Sequence, residues 1–188
     1  PETCHATILL AHGAGAGMEM DFLTLTAEAL AGQGFRVARF EFDYMAQRRL
    51  GGSKRPPPKM PVLETEYRAA IAALGATGSL ILGGKSMGGR VASLIAQEVA
   101  PAGLACLGYP FHPQNKPESL RTEHLAALTV PTLICQGTRD PFGTEAEVAG
   151  YALSPSIRLH WLRDGDHDFT PRRSVTGQTQ QDLIAEAA

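Results

Sequence analysis

Residues 83–90 read GGKSMGGR, and this run predicts a sharp turn between a strand and a helix, from which the fold class can be inferred. Within it, residues 84–88 form a G-x-S-x-G pentapeptide that follows a strand-like run, 79–84, and precedes a helix-like stretch, 87–100. Such a turn lifts the serine hydroxyl above the edge of a sheet, and small residues must flank the serine because the two backbones approach closely. Ser86 is therefore expected in a sparsely populated backbone conformation, at a cost of about 1–3 kcal/mol.

Gly84-Lys85-Ser86 also resembles the end of a phosphate-binding P-loop. That motif has a glycine, four further residues and then Gly-Lys-Ser or Gly-Lys-Thr. The first glycine position is Ser79 in this chain, and residues 80–82 are strand-like rather than a flexible loop. The serine turn is therefore the better interpretation.

Short apolar runs alternate with helix-like stretches along most of the chain. Because these runs are continuous, helices are expected on both faces of the sheet. The prediction is one α/β domain over residues 1–188, a three-layer sandwich with a mostly parallel sheet of about six strands. The predicted strands are 6–11, 35–42, 79–84, 103–108, 131–136 and 157–162, and the predicted helices are 20–33, 64–74, 87–100, 145–151 and 179–187.

Two segments interrupt this alternation. Residues 43–61 are basic and rich in proline, and an irregular loop is predicted there. Residues 109–128 are predicted to be a loop followed by a short helix, which leaves only a minimal cap over the site. The cations of the first segment suit a solvated loop better than a binding surface for an anionic substrate; they are Arg48, Arg49, Lys54, Arg55 and Lys59.

Two motifs follow later strands in the order that a serine nucleophile requires. A serine hydroxyl needs a base, and the base needs an acid that orients it. Asp140 follows the fifth strand in QGTRDPFG, and His167 follows the sixth strand in RDGDHDF. The carboxyl ends of parallel strands meet at one edge of a sheet, so Ser86, Asp140 and His167 are predicted to form a catalytic triad there.

Other acids and histidines fit these roles less well. The loop after the fourth strand has no carboxylate before Glu118. The aspartates around His167 are expected to shape its turn; they are Asp164, Asp166 and Asp168. Three histidines in or beside predicted elements are expected to be structural, namely His5, His124 and His160.

The glycine-rich run after the first strand, HGAGAG at 12–17, suits an oxyanion hole. Acyl transfer passes through a tetrahedral oxyanion that preorganised backbone N–H groups must stabilise. The predicted donors are Met87 and Ala14, with Gly15 as the next choice, and His12 is expected to orient this loop. The alternative is that the glycines only permit a tight turn.

Residues that border this edge of the sheet are candidates for a substrate pocket. Ordinary loop packing explains each of them equally well. The candidates are Gly13, Gly15, Tyr109, Phe111, His112 and Phe142, with Tyr44 or Met45 as further possibilities.

Taken together, these motifs resemble the α/β-hydrolase superfamily over nearly the whole chain. The resemblance rests on HGAG, GGKSMGGR, QGTRDPFG and GDHDF, and GYPFHP followed by KPE is similar to a small, lid-poor bacterial branch near the dienelactone hydrolases. It implies an esterase-type triad, no cofactor and no metal. The superfamily sheet usually has two more strands before the HG loop, so a reduced core or a trimmed N-terminus is expected.

The prediction is a serine hydrolase of the carboxylesterase or thioesterase type that cleaves small acyl esters through an acyl-enzyme. Peptide cleavage or acyl transfer to another acceptor would use the same residues. The main alternative is a non-catalytic binding or scaffold protein with the same fold. A dehalogenase is disfavoured, because its chemistry needs a carboxylate where Ser86 stands.

A cytoplasmic protein is expected from the cysteine pattern, the motifs point to a small-molecule ester as its partner, and a monomer or small homo-oligomer is expected. A net charge of −2 gives no argument for nucleic acid or an anionic membrane as partner. The sequence has an odd number of cysteines and no CxxC motif, a pattern typical of reduced thiols. The three cysteines are Cys4, Cys106 and Cys135. No apolar run reaches the ~20 residues of a membrane span, and no charged-then-apolar leader opens the sequence.

Overall fold

The computed structural model describes residues 6–76 and 78–188, so the predictions for Cys4 and His5 lie outside the described residues. Six strands and eight helices are present in this part of the chain. The strands are β1 (Thr7–Ala11), β2 (Arg36–Phe40), β3 (Leu80–Lys85), β4 (Gly103–Leu107), β5 (Thr132–Gly137) and β6 (Ile157–Leu162). The helices are α1 (Asp21–Gly32), α2 (Asp43–Arg49), α3 (Met60–Leu74), α4 (Met87–Val99), α5 (Glu123–Ala126), α6 (Glu145–Val148), α7 (Arg173–Thr176) and α8 (Gln180–Ala187).

The strands form one sheet in the order β2-β1-β3-β4-β5-β6. Every neighbouring pair is parallel, so all six carboxyl ends lie at the same edge. The predicted sheet of about six mostly parallel strands is confirmed, and each strand lies close to its predicted position. This topology brings the segments after β1, β3, β5 and β6 together.

Two hydrophobic clusters cover the two faces of the sheet. Successive strand residues point to opposite faces, so Leu9 joins one cluster and Leu10 the other. The Leu9 cluster includes Leu63 of α3 and Val91 of α4. The Leu10 cluster includes residues of α1 and α8, such as Leu183. The central strands are buried on both sides, which explains why their apolar runs are continuous.

The prediction of an irregular loop over Asp43–Pro61 is wrong at both ends. Helix α2 begins at Asp43, and α3 begins at Met60 rather than at Glu64. Buried Tyr44 and Met45 fix α2 to the core, and its acidic first turn and basic last turn complement the helix dipole. A proline is well tolerated in the first turn of a helix, so Pro61 does not prevent α3 from starting there.

The segment after β4 has the predicted form, a loop followed by the short helix α5. Helix α6 is shorter than predicted, and α7 was not anticipated. Among the residues described, no helix combines the length and apolarity that a bilayer crossing requires.

Candidate active site

The turn between β3 and α4 has the strained geometry that the sequence predicts. Ser86 has φ 51° and ψ −115°, a region that residues with a side chain rarely occupy. Its N–H donates to the Leu107 carbonyl at 2.9 Å, which ties the turn to β4. A Cβ atom on Gly84 or on Gly88 would lie 2.5 Å from the Ala11 carbonyl oxygen, so only glycine fits at either position. The turn therefore holds the Ser86 side chain at the carboxyl edge of the sheet.

Ser86, His167 and Asp140 come together across three separate segments. His167 Nε2 lies 2.9 Å from Ser86 Oγ, and His167 Nδ1 lies 2.8 Å from Asp140 Oδ2. The Asp140 side chain is fully buried, whereas that of His167 is 19% exposed. The imidazole therefore bridges a sealed carboxylate and a hydroxyl that borders solvent, an arrangement that suits proton transfer to and from Ser86.

Three donors converge on the Asp140 carboxylate. Oδ2 accepts from Gln136 Nε2 at 2.9 Å as well as from His167, and Oδ1 accepts from the Phe142 N–H at 2.9 Å. Gln136 also accepts from the Tyr109 N–H through Oε1 at 2.6 Å, which joins the ends of β4 and β5. Gln136 was not among the site residues predicted from the sequence. The available signal was a polar residue at the end of the apolar strand β5.

His12 anchors the loop after β1. Its Nε2 accepts from the Phe42 N–H at 3.1 Å, so the ring proton is on Nδ1, which donates to the Gly13 carbonyl at 2.6 Å. Burial lowers the pKa of His12, which favours this neutral form. In a planar trans peptide the C=O and N–H groups point in opposite directions, so the Ala14 N–H is directed away from the His12 ring.

Tyr44 holds the next peptide of the same loop. Its hydroxyl donates to the Ala14 carbonyl at 3.0 Å, and burial raises the pKa of Tyr44 to about 12, so it stays protonated. A Cβ atom on Gly13 would lie 3.6 Å from Ser86 Cβ, which shows how closely the loop passes the serine. The Met87 N–H, in the first turn of α4, has no acceptor within its own helix. Candidate donors therefore lie on two sides of Ser86.

A comparison with known protein families identifies the family of this chain. The model of the alpha/beta hydrolase domain matches residues 4–188, nearly the whole chain. The chain belongs to the alpha/beta hydrolase family. The fold class and superfamily predicted from the motifs are confirmed.

Three solved structures share the fold of this α/β hydrolase. A hydrolase of the alpha/beta superfamily from Xanthomonas campestris pv. campestris is 24% identical, with a TM-score of 0.64 over 97% of each chain. A serine hydrolase without a lid, from Xanthomonas campestris, is 22% identical, with a TM-score of 0.71 over 97% of this chain and 78% of that chain. Est1E from Butyrivibrio proteoclasticus is 15% identical, with a TM-score of 0.70 over 100% of this chain and 89% of that chain.

An open cleft of about 290 Å³ contains Ser86 and His167. Of the predicted pocket residues, Gly13, Gly15 and Phe142 line it, and the Phe142 ring lies 4.3 Å from the His167 ring, centroid to centroid. The cleft also has walls that the sequence analysis did not assign to a pocket: Ala14, Ala16, Met20, Lys85 and Asp168.

The other predicted pocket residues lie elsewhere in this α/β hydrolase. Tyr109 and Phe111 are fully buried in the core on the α4 side of the sheet, and Met45 is buried there too. His112 is 2% exposed and its Nδ1 donates to the Pro113 carbonyl at 2.9 Å. The chain after β4 turns inward because Gln136 binds both the N–H and the carbonyl of Tyr109. These aromatic side chains pack the loop and do not border the cleft.

All three aspartates around His167 were predicted to shape its turn, and two of them do so. Asp166 accepts from the N–H groups of Asp168 and Thr170. Asp164 binds the Arg172 side chain and backbone, and these contacts lower the pKa of Asp164 to about 2. Asp168 instead faces Lys85 in the cleft.

Two histidines outside the cleft have structural contacts, as predicted. His124 Nε2 lies 2.8 Å from Ser93 Oγ, and His160 Nε2 lies 3.1 Å from Glu186 Oε1. In the described part of the chain, no group of three or more His, Cys, Asp or Glu residues is arranged to hold a metal ion.

Proposed function

We propose that this α/β hydrolase is a serine esterase that cleaves small acyl esters through an acyl-enzyme on Ser86. The observation that carries the proposal is the unbroken line of hydrogen bonds from Ser86 Oγ through His167 to Asp140, with lengths of 2.9 and 2.8 Å. The first distance falls in the range in which a base takes a proton from a nucleophile, and the second is a hydrogen bond that orients that base.

Acylation begins when Ser86 Oγ attacks the carbonyl carbon of the ester. The hydroxyl proton moves to His167 Nε2, which is an acceptor because Nδ1–H points to Asp140. The carbonyl π electrons move to its oxygen, and the resulting oxyanion accepts hydrogen bonds from the Met87 and Ala14 N–H groups. When the intermediate collapses, the C–O bond to the alcohol breaks and the leaving alkoxide takes the proton from Nε2.

Deacylation repeats these steps with water as the nucleophile. Water gives a proton to His167 Nε2 and attacks the acyl carbon. The bond to Ser86 Oγ then breaks, Oγ takes the proton back, and the carboxylic acid leaves. Throughout both stages Asp140 accepts from Nδ1–H and stabilises the imidazolium that forms transiently.

The shape of the cleft favours a small or exposed acyl group. Its volume is about 290 Å³, near the lower limit for sites that bind small molecules. One wall is the short loop Gly13–Ala16, whose side chains are hydrogen or methyl, and Met20 and Phe142 supply apolar surface. A thioester of the same acyl group would react through the same atoms.

A series of p-nitrophenyl esters with acyl chains from acetyl to dodecanoyl tests this proposal. We expect kcat/KM to be highest for the short chains and to fall for the long ones, because the cleft cannot enclose a long chain. Ser86→Ala should abolish hydrolysis of every ester, and Ser53→Ala, at an exposed serine outside the cleft, should match the wild type. Turnover by Ser86→Ala at the wild-type rate would overturn the proposal.

A further inference from the structure

The lysine in the nucleophile turn is buried beside the catalytic histidine. Lys85 ends β3, directly before Ser86, and its side chain is only 3% exposed. Its ammonium donates to the His167 carbonyl at 2.6 Å and lies 3.3 Å from Asp168 Oδ1. The Phe22 ring centroid is 5.3 Å from Nζ, within the range of a cation–π contact. Two segments, the turn after β6 and helix α1, therefore contact one buried cation.

A cation at this position needs a specific reason. Lysine is almost never fully buried unless it is paired, because its charge loses hydration. Burial accordingly lowers the pKa of Lys85, while the nearby carboxylates of Asp168 and Asp140 act in the opposite direction. A solvent-facing turn of this type does not require lysine between glycine and serine, since G-x-S-x-G leaves that position open.

The chain around Lys85 leaves room for this contact. A Cβ atom on Gly108 would lie 3.1 Å from Lys85 Nζ and 3.3 Å from His167 Nδ1. Gly108 also has φ 64°, in the left-handed region that favours glycine. The end of β4 is therefore shaped so that the lysine ammonium and the histidine both fit beside it.

The turn that carries His167 needs to be held in place. Asp164 and Phe169, on either side of His167, have φ values of 56° and 60° although neither is glycine. Such conformations persist only when the surroundings hold them. The hydrogen bond from Lys85 reaches the main chain of His167 itself, so it restrains the backbone from which the imidazole projects.

We propose that Lys85 is a positioning residue whose ammonium holds the main chain of His167, so that the imidazole stays between Asp140 and Ser86. This inference rests on the proposed function, in which His167 is the base. Lys85 Nζ donates to a carbonyl oxygen and takes no part in proton transfer. Lys85 borders the cleft, but its ammonium is engaged by the His167 carbonyl and Asp168, so its proposed effect on the reaction is through His167.

Lys85→Met removes the ammonium and keeps most of the side-chain volume. The carboxylate left behind, Asp168, is 58% exposed and is hydrated by water, so no unpaired charge is buried and the variant is expected to fold. We expect the rate of p-nitrophenyl acetate hydrolysis, as kcat, to fall by roughly tenfold to 100-fold, the cost of misplacing a catalytic group by about 1 Å. KM should change little, because the proposed oxyanion loop remains. Lys54→Met, at an exposed lysine between α2 and α3, is the matched control and should retain wild-type kcat.

Proton NMR gives a readout that does not depend on turnover. In the wild type, the His167 Nδ1–H that bonds to Asp140 should give a downfield resonance, identified by its absence in His167→Ala. The signal should vanish in Lys85→Met by exchange with water and persist in Lys54→Met. Lys85→Gln, whose amide is one atom too short to reach the carbonyl, should behave like Lys85→Met and serves if the methionine variant does not fold.

The outcomes separate this inference from the proposed function. One outcome is that the wild type hydrolyses no ester while the NMR resonance, present in the wild type, is absent from Lys85→Met. In that case the proposed function fails and the restraint on His167 stands. If the folded Lys85 variants keep both the resonance and the wild-type kcat, the inference is overturned and the esterase proposal is unaffected.

Discussion

Replacing Asp140 with asparagine changes only the pattern of donors and acceptors behind His167. The wild-type carboxylate accepts three hydrogen bonds, from Gln136 Nε2, from the Phe142 N–H and from His167 Nδ1. An asparagine side chain has one acceptor oxygen and one NH2 group, so it cannot satisfy three donors in either orientation.

Each orientation of the asparagine has a definite cost. With its oxygen at the Phe142 N–H, the NH2 group faces both Gln136 and His167. Gln136 Nε2 still donates to the Tyr109 and Gly143 carbonyls, whereas the His167 proton must move from Nδ1 to Nε2. The Nε2 atom can then no longer take the proton of Ser86. With its oxygen facing His167, the NH2 group opposes the part-buried Phe142 N–H, which loses its acceptor at a cost of up to about 1–3 kcal/mol. The first orientation is therefore favoured, and it inactivates the base.

The expected loss for Asp140→Asn is about 10⁴-fold in kcat. This factor corresponds to about 5.4 kcal/mol of lost transition-state stabilisation. Single-turnover acylation by p-nitrophenyl acetate measures it, with circular dichroism to verify folding. Asp21→Asn, at an exposed carboxylate in the first turn of α1, is the matched control and should react like the wild type. A folded Asp140→Asn variant within about tenfold of the wild type would refute the role assigned to Asp140.

Three further predictions concern the loop, the turn and the acid stability. Tyr44→Phe removes the donor to the Ala14 carbonyl and should lower kcat by about threefold to tenfold, with KM unchanged. Steady-state kinetics measures both constants, and an unchanged kcat would contradict the role assigned to Tyr44. Gly88→Ala should lower the free energy of unfolding, measured in urea, by about 1–3 kcal/mol or more, because the added Cβ would meet backbone atoms. Gly32→Ala, whose added Cβ would meet nothing within 4 Å, should be neutral or stabilising. Equal effects of the two substitutions would contradict the packing argument. The pKa of Asp164 is depressed from 3.8 to about 2, so its stabilisation is present above pH 3.8 and lost as the pH falls towards 2. The difference in urea midpoint between the wild type and Asp164→Asn should therefore shrink over that interval, and a constant difference would contradict the assignment.

The positions of Ser86, Asp140 and His167 could be predicted because each follows a strand of a parallel sheet. Once the apolar runs are assigned to strands, topology alone brings their carboxyl ends to one edge. Short motifs at three strand ends therefore define a site in space although they are far apart in the chain. Glycines are equally informative at Gly84 and Gly88, where the backbones of β1, β3 and α4 approach too closely for any side chain.

The orientation of loops could not be predicted in this way. Tyr109 and Phe111 follow a strand end, as His167 does, yet they point into the core because Gln136 binds the Tyr109 main chain. That contact joins residues from different strands, and no local pattern in the sequence encodes it. Helix α2 was missed for a related reason, since its stability comes from burying Tyr44 and Met45 rather than from its composition.

Buried polar residues in apolar strands were the signal with the most unused information. Lys85 is the last residue of β3 and Gln136 is the last but one of β5, and both are almost completely buried. A buried amide or ammonium must have partners, so each implies a contact with a neighbouring segment. The sequence shows that a partner is needed but not which segment supplies it.

Covalent labelling with a fluorophosphonate probe, located by intact mass and peptide mapping, tests the central proposal most directly. We expect one adduct on Ser86 in the wild type and in Ser53→Ala, and none in Ser86→Ala or His167→Ala over the same time. No adduct on the wild type, under conditions that label a control esterase, would contradict the account and favour a non-catalytic protein with the α/β-hydrolase fold.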